Sequence, residues 1–335
     1  MAQETQPKQN EAGMDRRSRR RRSYHFVDRK RRRKKRLVQG ALLCVTIYCA
    51  VRLVSYGLDG YRAQQSAAAL RDAYYAEETQ APSPAATALS ASVRPTAAVT
   101  EIPQPTAAAP VEADTDELPV QTYAENPYGI IADRFLSLRR RNSDIIGWLN
   151  IPDQLDTAVV QRDNSYYLNR DSLGYHNVNG AIFLEESCKL RPRPYTFILY
   201  GHNMKTEAMF GRLHAYESLS YYKEHAFLTF DTIYEEGSYV IVASGTINVN
   251  PSSWGYVSLY DLLSTSKARR EKSLNALLNR SVFQSQVDVT SEDQLLVLVT
   301  CVKDDTERRV VLARRIREEE TTEELTRLVR LSTLK

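Results

Sequence analysis

Polar residues that could take part in catalysis stand at the ends of apolar β-type runs, where a fold can expose a side chain while holding it rigidly. His202 follows the run FILY, and Cys301 follows LLVLVT. Arg308 and Arg309 then head the run VVLA. A cysteine thiolate attacks carbonyl groups, a histidine supplies the acid or base, and an arginine stabilises an oxyanion. Together these residue types meet the minimum for thiolate nucleophilic catalysis, although each of them alone is more often structural.

Four cysteines are too few and too scattered for a disulfide framework. Cys44 and Cys49 fall in an apolar run, which leaves Cys188 and Cys301 as the thiols of the remaining chain. A disulfide between these two in an oxidising compartment is one interpretation, and a reactive Cys301 is the other. No CxxC pair and no His/Cys cluster at metal spacing occurs, so the sequence predicts no metal site.

The first 36 residues carry the positive charge of the chain, with 15 Lys or Arg against 4 Asp or Glu. The remainder holds 30 basic and 37 acidic residues, so it has no broad basic surface for nucleic acid. An apolar stretch over residues 37–58 follows directly and is long enough to cross a bilayer. Because positive flanks stay cytoplasmic, we predict a transmembrane signal anchor with residues 1–36 inside the cell and the rest of the chain outside.

Two other interpretations of this region stay open. A basic run is also typical of a nuclear or nucleic-acid patch, and a cleaved signal peptide has the same order of segments. The apolar stretch exceeds the about 7–15 residues usual for a signal peptide, which favours the anchor. Residues 59–125 begin with a possible helical continuation and then turn to Ala, Pro, Thr, Ser and Glu. We predict a flexible extracellular tether there.

The folded domain is predicted over residues 126–335. Apolar residues at helical spacing over 130–138 predict an N-terminal helix, and a second short element follows at 143–148. Short β-type runs then occur at 157–161, 180–186, 195–202, 237–249, 295–302 and 308–316. The segment 258–283 and the glutamate-rich C-terminus indicate helices. Many strands with few long helices favour a mostly β fold, a closed or partly closed barrel with peripheral helices.

The sequence around these residues resembles one enzyme family. LYGHNM followed by FGRL, and LVTC followed by an arginine-headed strand, are similar to the His and Thr-Leu-x-Thr-Cys motifs of sortases. GWLNI, VVQRDNSYYL and GAIFLEES, with a helix before the barrel, further resemble class B sortases. The resemblance covers about residues 130–318. It implies a closed barrel of about eight strands, with N-terminal helices and a helix in the connection before the Cys-bearing strand.

The resemblance identifies His202 and Cys301 as the catalytic pair. In the family the catalytic arginine heads its strand, and a small residue comes five positions later. Ala313 stands at that spacing from Arg308, which favours Arg308, with Arg309 as the alternative.

The resemblance also implies how the substrate is held. Val299 and Thr300, with the connection 246–283, are expected to form walls of the peptide groove. Glu185 stands where class B sortases usually have aspartate, a change that touches packing or a hydrogen bond. Cys188 is expected to be structural or incidental.

The implied reaction is transpeptidation. The Cys301 thiolate attacks the carbonyl of a threonine in a C-terminal sorting motif of a surface protein, and an amine of a peptidoglycan precursor or a pilin resolves the thioacyl enzyme. Neither metal nor organic cofactor is required. The alternatives are another Cys/His enzyme of the cell envelope, such as an L,D-transpeptidase, and a non-catalytic surface binding module. The sequence leaves open the motif, the acceptor and the oligomeric state.

Overall fold

The computed structural model describes residues 11–78, 116–301 and 306–335. Residues 1–10 of the predicted cytoplasmic segment and 79–115 of the predicted tether lie outside the described residues. The chain divides into two compact units, Met1–Tyr61 and Arg62–Lys335.

The described part of the first unit belongs to helix α1, which runs over Glu11–Glu78. Within it, Lys34–Ala76 contains a stretch long and apolar enough to cross a membrane. The large apolar side chains of this stretch, among them Leu42 and Leu43, are exposed. By length and composition the helix is therefore compatible with a membrane anchor.

A closed barrel of eight strands forms the centre of the second unit. The order around the barrel is β1 (Ile145–Ile151), β2 (Leu155–Val160), β3 (Ile182–Leu184), β4 (Thr196–Tyr200), β8 (Leu295–Cys301), β9 (Glu307–Arg315), β6 (Ser238–Asn248) and β5 (Phe227–Thr232). The short strands β7 (Phe283–Gln284) and β10 (Thr333–Leu334) pair separately. The closed barrel that the sequence predicts is confirmed.

The helices of this unit lie outside the barrel. They are α2 (Asp133–Arg141), α3 (Leu219–Glu224), α4 (Lys267–Arg280) and α5 (Thr322–Leu331). Short 3-10 helices occupy Tyr166–Asn169, Gly211–Glu217 and Leu259–Leu263. The predicted helix before the Cys-bearing strand is thus confirmed as α4, and the C-terminal helix as α5, which begins with a Thr321/Glu324 capping box.

Strand β8 explains how the barrel holds a polar residue at its edge. Six of its seven residues, LLVLVT, are buried on both faces, and only Cys301 at its end is exposed. β8 pairs in parallel with β4 and antiparallel with β9. A continuous apolar run is what a strand buried on both faces requires, so the strand is fixed and its last side chain emerges at a defined place.

Residues before the predicted domain boundary also pack against the barrel. Leu70 and Tyr74 of α1 are each 3% exposed. The Tyr74 ring stacks on Trp148 of β1 at 4.4 Å, and its hydroxyl donates to Asp231 of β5 at 2.5 Å. Burial and the Asp231 carboxylate raise the pKa of Tyr74. The second part of α1 is therefore joined to the barrel by both apolar and polar contacts.

A second segment, 116–123, crosses the outside of the barrel, and we call it the strap. Asp116 accepts hydrogen bonds from Ser266 Oγ at 2.5 Å and the Ala268 amide at 2.9 Å, at the start of α4. Leu118 donates its amide to Thr265, and the Tyr123 hydroxyl donates to the Leu190 carbonyl at 2.5 Å. The strap thus holds the turn that precedes α4.

The structure differs from the sequence predictions in three respects. β5 was not predicted, and the element predicted at 143–148 is strand β1. The disulfide interpretation is wrong, because Cys188 and Cys301 are both free thiols. Cys188 is buried, its Sγ donates to the Thr196 carbonyl at 3.2 Å, and burial raises its pKa to about 12.

Candidate active site

Strand pairing places Cys301 opposite Arg308. The two residues are register partners across the antiparallel β8–β9 pair. Side chains of directly opposed residues lie on the same face of the sheet, with Cα atoms about 4.5–5.5 Å apart. The Cys301 thiol and the Arg308 guanidinium therefore share one face at the edge of the barrel.

Arg309 lies on the other face of β9, where its register partner is Thr300. Its guanidinium pairs with the Glu217 carboxylate at 2.6 Å, at the end of the Gly211–Glu217 helix. Arg308 lines the same cavity as Cys301, whereas the lining of that cavity does not include Arg309. The neighbouring arginines thus have different surroundings, one at the cavity and one in an ion pair.

His202 lies two residues beyond the end of β4, at the level of Cys301 on the neighbouring strand. The parallel pairing of Tyr200 with Val299 fixes this level. The Asn203 side chain donates to the Cys301 carbonyl at 2.7 Å and joins the two strand ends.

The orientation of the His202 ring is set by a backbone carbonyl. His202 Nε2 lies 2.7 Å from the Leu168 oxygen. Because a carbonyl only accepts, Nε2 carries the proton in this contact, and Nδ1 is the ring nitrogen left to exchange protons. Leu168 belongs to the 3-10 helix Tyr166–Asn169, and Gly180 packs against it. With φ +63°, Gly180 adopts a backbone conformation that residues with a Cβ rarely take.

A cavity of about 600 Å³ opens beside these residues. Its lining includes Cys301, His202 and Arg308 together with Val299 and Thr300. Val299 is 1% exposed, and Thr300 is 2% exposed. The Thr300 hydroxyl oxygen is buried and has no hydrogen-bond partner within the described chain. Because side chains alternate along a strand, this hydroxyl lies on the Arg309 face of the β8–β9 pair, away from the face that carries Cys301.

The opposite wall of the cavity comes from the connection after β6. Its lining residues are Val249 and Tyr256–Tyr260. The 3-10 helix Leu259–Leu263 and α4 follow at once. Arg270 of α4 is fully buried and donates to the Leu262 carbonyl at 2.5 Å and to Thr196 Oγ1 at 2.8 Å. Desolvation lowers the pKa of Arg270 to about 10, and its hydrogen bonds tie this wall to β4.

A buried polar network occupies the part of the cavity wall farthest along the strands from Cys301. Glu185, which directly follows β3, is 1% exposed and accepts two hydrogen bonds of 2.9 Å from the Asn164 amide. Tyr200 and Tyr260 line the same cavity. Burial, followed by the Glu185 charge, raises the pKa of Tyr200.

Two further histidines of the second unit and the buried cysteine lie elsewhere. His214 belongs to the Gly211–Glu217 helix, where its Nδ1 contacts the Gly211 carbonyl. His225 ends α3 and stacks on Tyr221 at 4.0 Å. Cys188 lines a separate cavity of about 240 Å³ beneath the strap. In the described ranges no cluster of His, Cys, Asp or Glu has the arrangement of a metal site.

Sequence reasoning missed the parts of the site that act through the backbone or through tertiary contacts. The Leu168 carbonyl and the Asn203 bridge were not predicted, and Tyr260 was predicted only as part of the connection 246–283. The sequence VVQRDNSYYL, a polar stretch directly after a buried strand, is a signal for the first of these, since its end supplies Leu168.

Comparisons with known proteins agree on one group of relatives, although no family model matches the chain. The chain is 30% identical over 190 residues to sortase B of Staphylococcus aureus. The alignment covers 56% of this chain and 75% of the relative. It is 28% identical over 188 residues to sortase B of Listeria monocytogenes, covering 55% and 72%.

Solved structures give the same result. A Bacillus anthracis protein described as similar to sortase B matches with a TM-score of 0.51 and 27% identity, covering 60% of this chain and 90% of that one. The B. anthracis sortase B in complex with AAEK2 matches with a TM-score of 0.50 and 26% identity, over 59% and 88%.

Proposed function

The chain belongs to the sortase B family of cysteine transpeptidases, and from this premise we propose that Cys301, His202 and Arg308 are its catalytic residues. The observation that carries this assignment is the strand register at the cavity mouth. Cys301 faces Arg308 across β8–β9, and His202 lies at the same level on the other side. A nucleophile, a proton-transfer group and a cation thereby meet at one opening.

The proposed reaction has two halves. In the first, the Cys301 thiolate attacks the carbonyl carbon of a threonine, and the Arg308 guanidinium donates hydrogen bonds to the resulting oxyanion. When the tetrahedral intermediate collapses, the C–N bond breaks, and His202 gives a proton from Nδ1 to the departing amine. A thioester between the threonine carbonyl and Cys301 remains.

In the second half, an amine attacks the thioester carbon. His202 Nδ1 accepts the amine proton, the C–S bond breaks, and the Cys301 thiolate is restored while a new amide forms. We propose that the donor is a surface protein with a C-terminal sorting motif. The acceptor is an amine of a peptidoglycan precursor or of a pilin.

Peptide binding is proposed along the cavity. Val299 contributes an apolar surface beside the nucleophile, on the strand face of Cys301, and Thr300 lines the same cavity. The wall from Tyr256 to Tyr260 closes the other side. An extended peptide fits such a groove because its alternate side chains meet the two walls.

We further propose that residues 37–58 anchor the enzyme, with residues 1–36 cytoplasmic and the barrel outside the cell. The apolar helix and the preceding basic run support this orientation. A membrane-held donor would then meet a membrane-held enzyme at high effective concentration.

Cleavage of a peptide panel tests the assignment. The full-length chain in detergent micelles is incubated with fluorogenic peptides that carry threonine-containing sorting motifs, with and without a short amine acceptor. We expect cleavage, and a ligated product when the amine is present, and Cys301→Ala should abolish both. Retained activity in Cys301→Ala would exclude this thiol as the nucleophile, and no cleavage across the panel would contradict the proposed substrate class.

The arginine assignment has a matched pair of variants on adjacent residues. Arg308→Ala removes the guanidinium that lines the cavity, whereas Arg309→Ala breaks the Glu217 ion pair on the other face. Loss of an oxyanion donor costs about 10²–10³ in kcat, and we expect a loss of that order from Arg308→Ala alone. A larger loss from Arg309→Ala would assign the role to Arg309.

A further inference from the structure

The groove contains a buried carboxylate that the proposed reaction does not use. Glu185 accepts hydrogen bonds from the Asn164 amide and from Ser187 Oγ at 3.2 Å. Within the described ranges these partners are both neutral, and none of the ion pairs there includes Glu185. A carboxylate held only by neutral donors keeps its acceptor character, and a low-dielectric wall screens it weakly.

The position of Glu185 along the groove follows from the strand register. Its amide donates to the Ile198 carbonyl, and Ile198 is paired with Val297 of β8. Val297 precedes Cys301 by four residues, about 13 Å along the strand, and β3 lies two strands from β8, about 10 Å across. Glu185 is therefore on the order of 15 Å from the nucleophile, a span of about four to five residues of extended peptide.

The groove changes character over this distance. His202 and Arg308 are basic and lie at the Cys301 end. Apolar residues of the lining include Phe183, Val257 and Leu259, and strand register places Phe183 at the level of Val299, between the two ends. The far end has Glu185. The Tyr260 side chain is 60% exposed and lines the same cavity, and burial, followed by the Glu185 charge, raises the pKa of Tyr260.

We propose that Glu185, with Asn164, Tyr200 and Tyr260, forms a specificity subsite that selects a peptide side chain with N–H donors and rejects a carboxylate. Lysine or arginine would fit best, and a side-chain amide second. The selected residue lies about four to five positions from the reacting carbonyl. This inference rests on the proposed function, since it assumes that an extended peptide occupies the groove.

The subsite should prefer lysine to glutamate because the Glu185 carboxylate accepts hydrogen bonds and a peptide carboxylate cannot donate one. A site built around one hydrogen-bonding partner discriminates strongly against a ligand that leaves that partner unpaired. A carboxylate brought to this end of the groove would meet a like charge, whereas an ammonium group would meet an opposite one. Discrimination between lysine and glutamate at this position should therefore exceed discrimination between lysine and glutamine.

The test measures binding separately from turnover. Ten-residue labelled peptides contain one threonine, and Lys, Gln, Leu or Glu is placed in turn at each of the third to sixth positions before it. Their affinity for the full-length Cys301→Ala chain in detergent micelles is measured by fluorescence anisotropy. We expect one position at which the Lys peptide binds at least about tenfold more tightly than the Glu peptide, with Gln between them.

Variants assign this preference to the carboxylate. Glu185→Gln in the same background should reduce the Lys-to-Glu ratio to within about threefold. Glu186→Gln, the same chemical change at the next residue, where the side chain is exposed and does not line the cavity, should leave the ratio unchanged. If Glu185→Gln does not fold, Tyr260→Phe is the second variant, since its exposed side chain is tolerant of substitution, and it should reduce the ratio in the same direction.

The outcomes separate this inference from the proposed function. Three outcomes overturn the specificity subsite. They are equal affinity for the Lys, Gln, Leu and Glu peptides at every position, no binding by any peptide, and a Lys-to-Glu ratio that Glu185→Gln leaves unaltered. Cleavage of the same peptides by the unaltered chain, with a flat preference, would support the function and refute the subsite. Tighter binding of the Lys peptide without any cleavage would support the subsite and contradict the proposed function.

Discussion

Substitution of Gly180 by alanine tests how the histidine is positioned. A Cβ at this residue would lie 2.7 Å from the Tyr167 carbonyl oxygen and 2.8 Å from the Leu168 oxygen, both backbone atoms. It would also lie 3.1 Å from Cδ2 of His202. Because two backbone carbonyls cannot move independently of their helix, we expect the Leu168 oxygen to shift away from His202 Nε2.

The size of the effect follows from two contributions. A positive φ in a residue with a Cβ costs roughly 1–2 kcal/mol in this backbone region. Forcing an additional carbon into a packed site costs typically about 1–3 kcal/mol more. Gly180→Ala should thus lower the free energy of unfolding by about 2–5 kcal/mol. A displacement of about 1 Å at a catalytic group reduces turnover roughly a hundredfold, and we expect a loss of that order in kcat/KM.

Gly174→Ala is the matched control. Gly174 also has a positive φ, +87°, but its Cβ would approach only the Tyr166 hydroxyl, at 3.7 Å. Urea unfolding followed by tryptophan fluorescence should therefore show the backbone cost alone in Gly174→Ala, and peptide cleavage should stay within about threefold of the unaltered chain. If the two variants have equal stability and equal activity, the contact between Gly180, the Leu168 carbonyl and His202 does not position the histidine.

Three further predictions concern contacts around the barrel. Tyr74→Phe keeps the ring on Trp148 but removes the hydroxyl bond to Asp231, so the free energy of unfolding should fall by about 1–3 kcal/mol, and an unchanged urea midpoint would contradict this. Asp116→Asn should lower the Tm at pH 7. Hydrogen bonding by Ser266 lowers the pKa of Asp116, so its stabilisation is present above the ordinary aspartate pKa and is lost as pH falls through the lower folded value. The Tm difference from the unaltered chain should therefore narrow in acid, and a constant difference would refute the role of the charge. Iodoacetamide at pH 8 should alkylate Cys301 in the native chain but leave Cys188 unmodified until urea is added, as peptide mass spectrometry can show.

Much of the barrel could be predicted because its strands are continuous apolar runs with a polar residue at one end. The run before Cys301 and the run before His202 are of this kind, and both are central strands. Which strands pair with these runs depends on the tertiary fold. The spacing of seven residues from Cys301 to Arg308 nevertheless favours an antiparallel pair of consecutive strands. The register that makes them partners in the structure agrees with the spacing argument that favours Arg308.

Other features escaped prediction. In β5, Thr229 and Asp231 alternate with buried residues, the period of two that marks a half-buried strand, so the sequence carries a signal for this strand that the prediction missed. In the second part of α1, Leu70 and Tyr74 are two large apolar residues in an alanine-rich segment, a stripe too narrow to indicate burial. The bond between His202 and the Leu168 carbonyl joins residues 34 positions apart through a backbone group, which no side-chain pattern reveals.

The contacts of α1 and the strap have a consequence for the Ala/Pro/Thr-rich segment between them. Its two flanks, Leu70 and Tyr74 on one side and Asp116 to Tyr123 on the other, are bonded to the same barrel. The two flanks of this segment are therefore fixed on one body. The entropy of closing a loop between two fixed points changes slowly with its length, by about 0.6 kcal/mol for each doubling. Insertions, deletions or a single backbone cut in this segment should thus be tolerated at small thermodynamic cost, because the flanking contacts, and not the length between them, hold both flanks to the barrel.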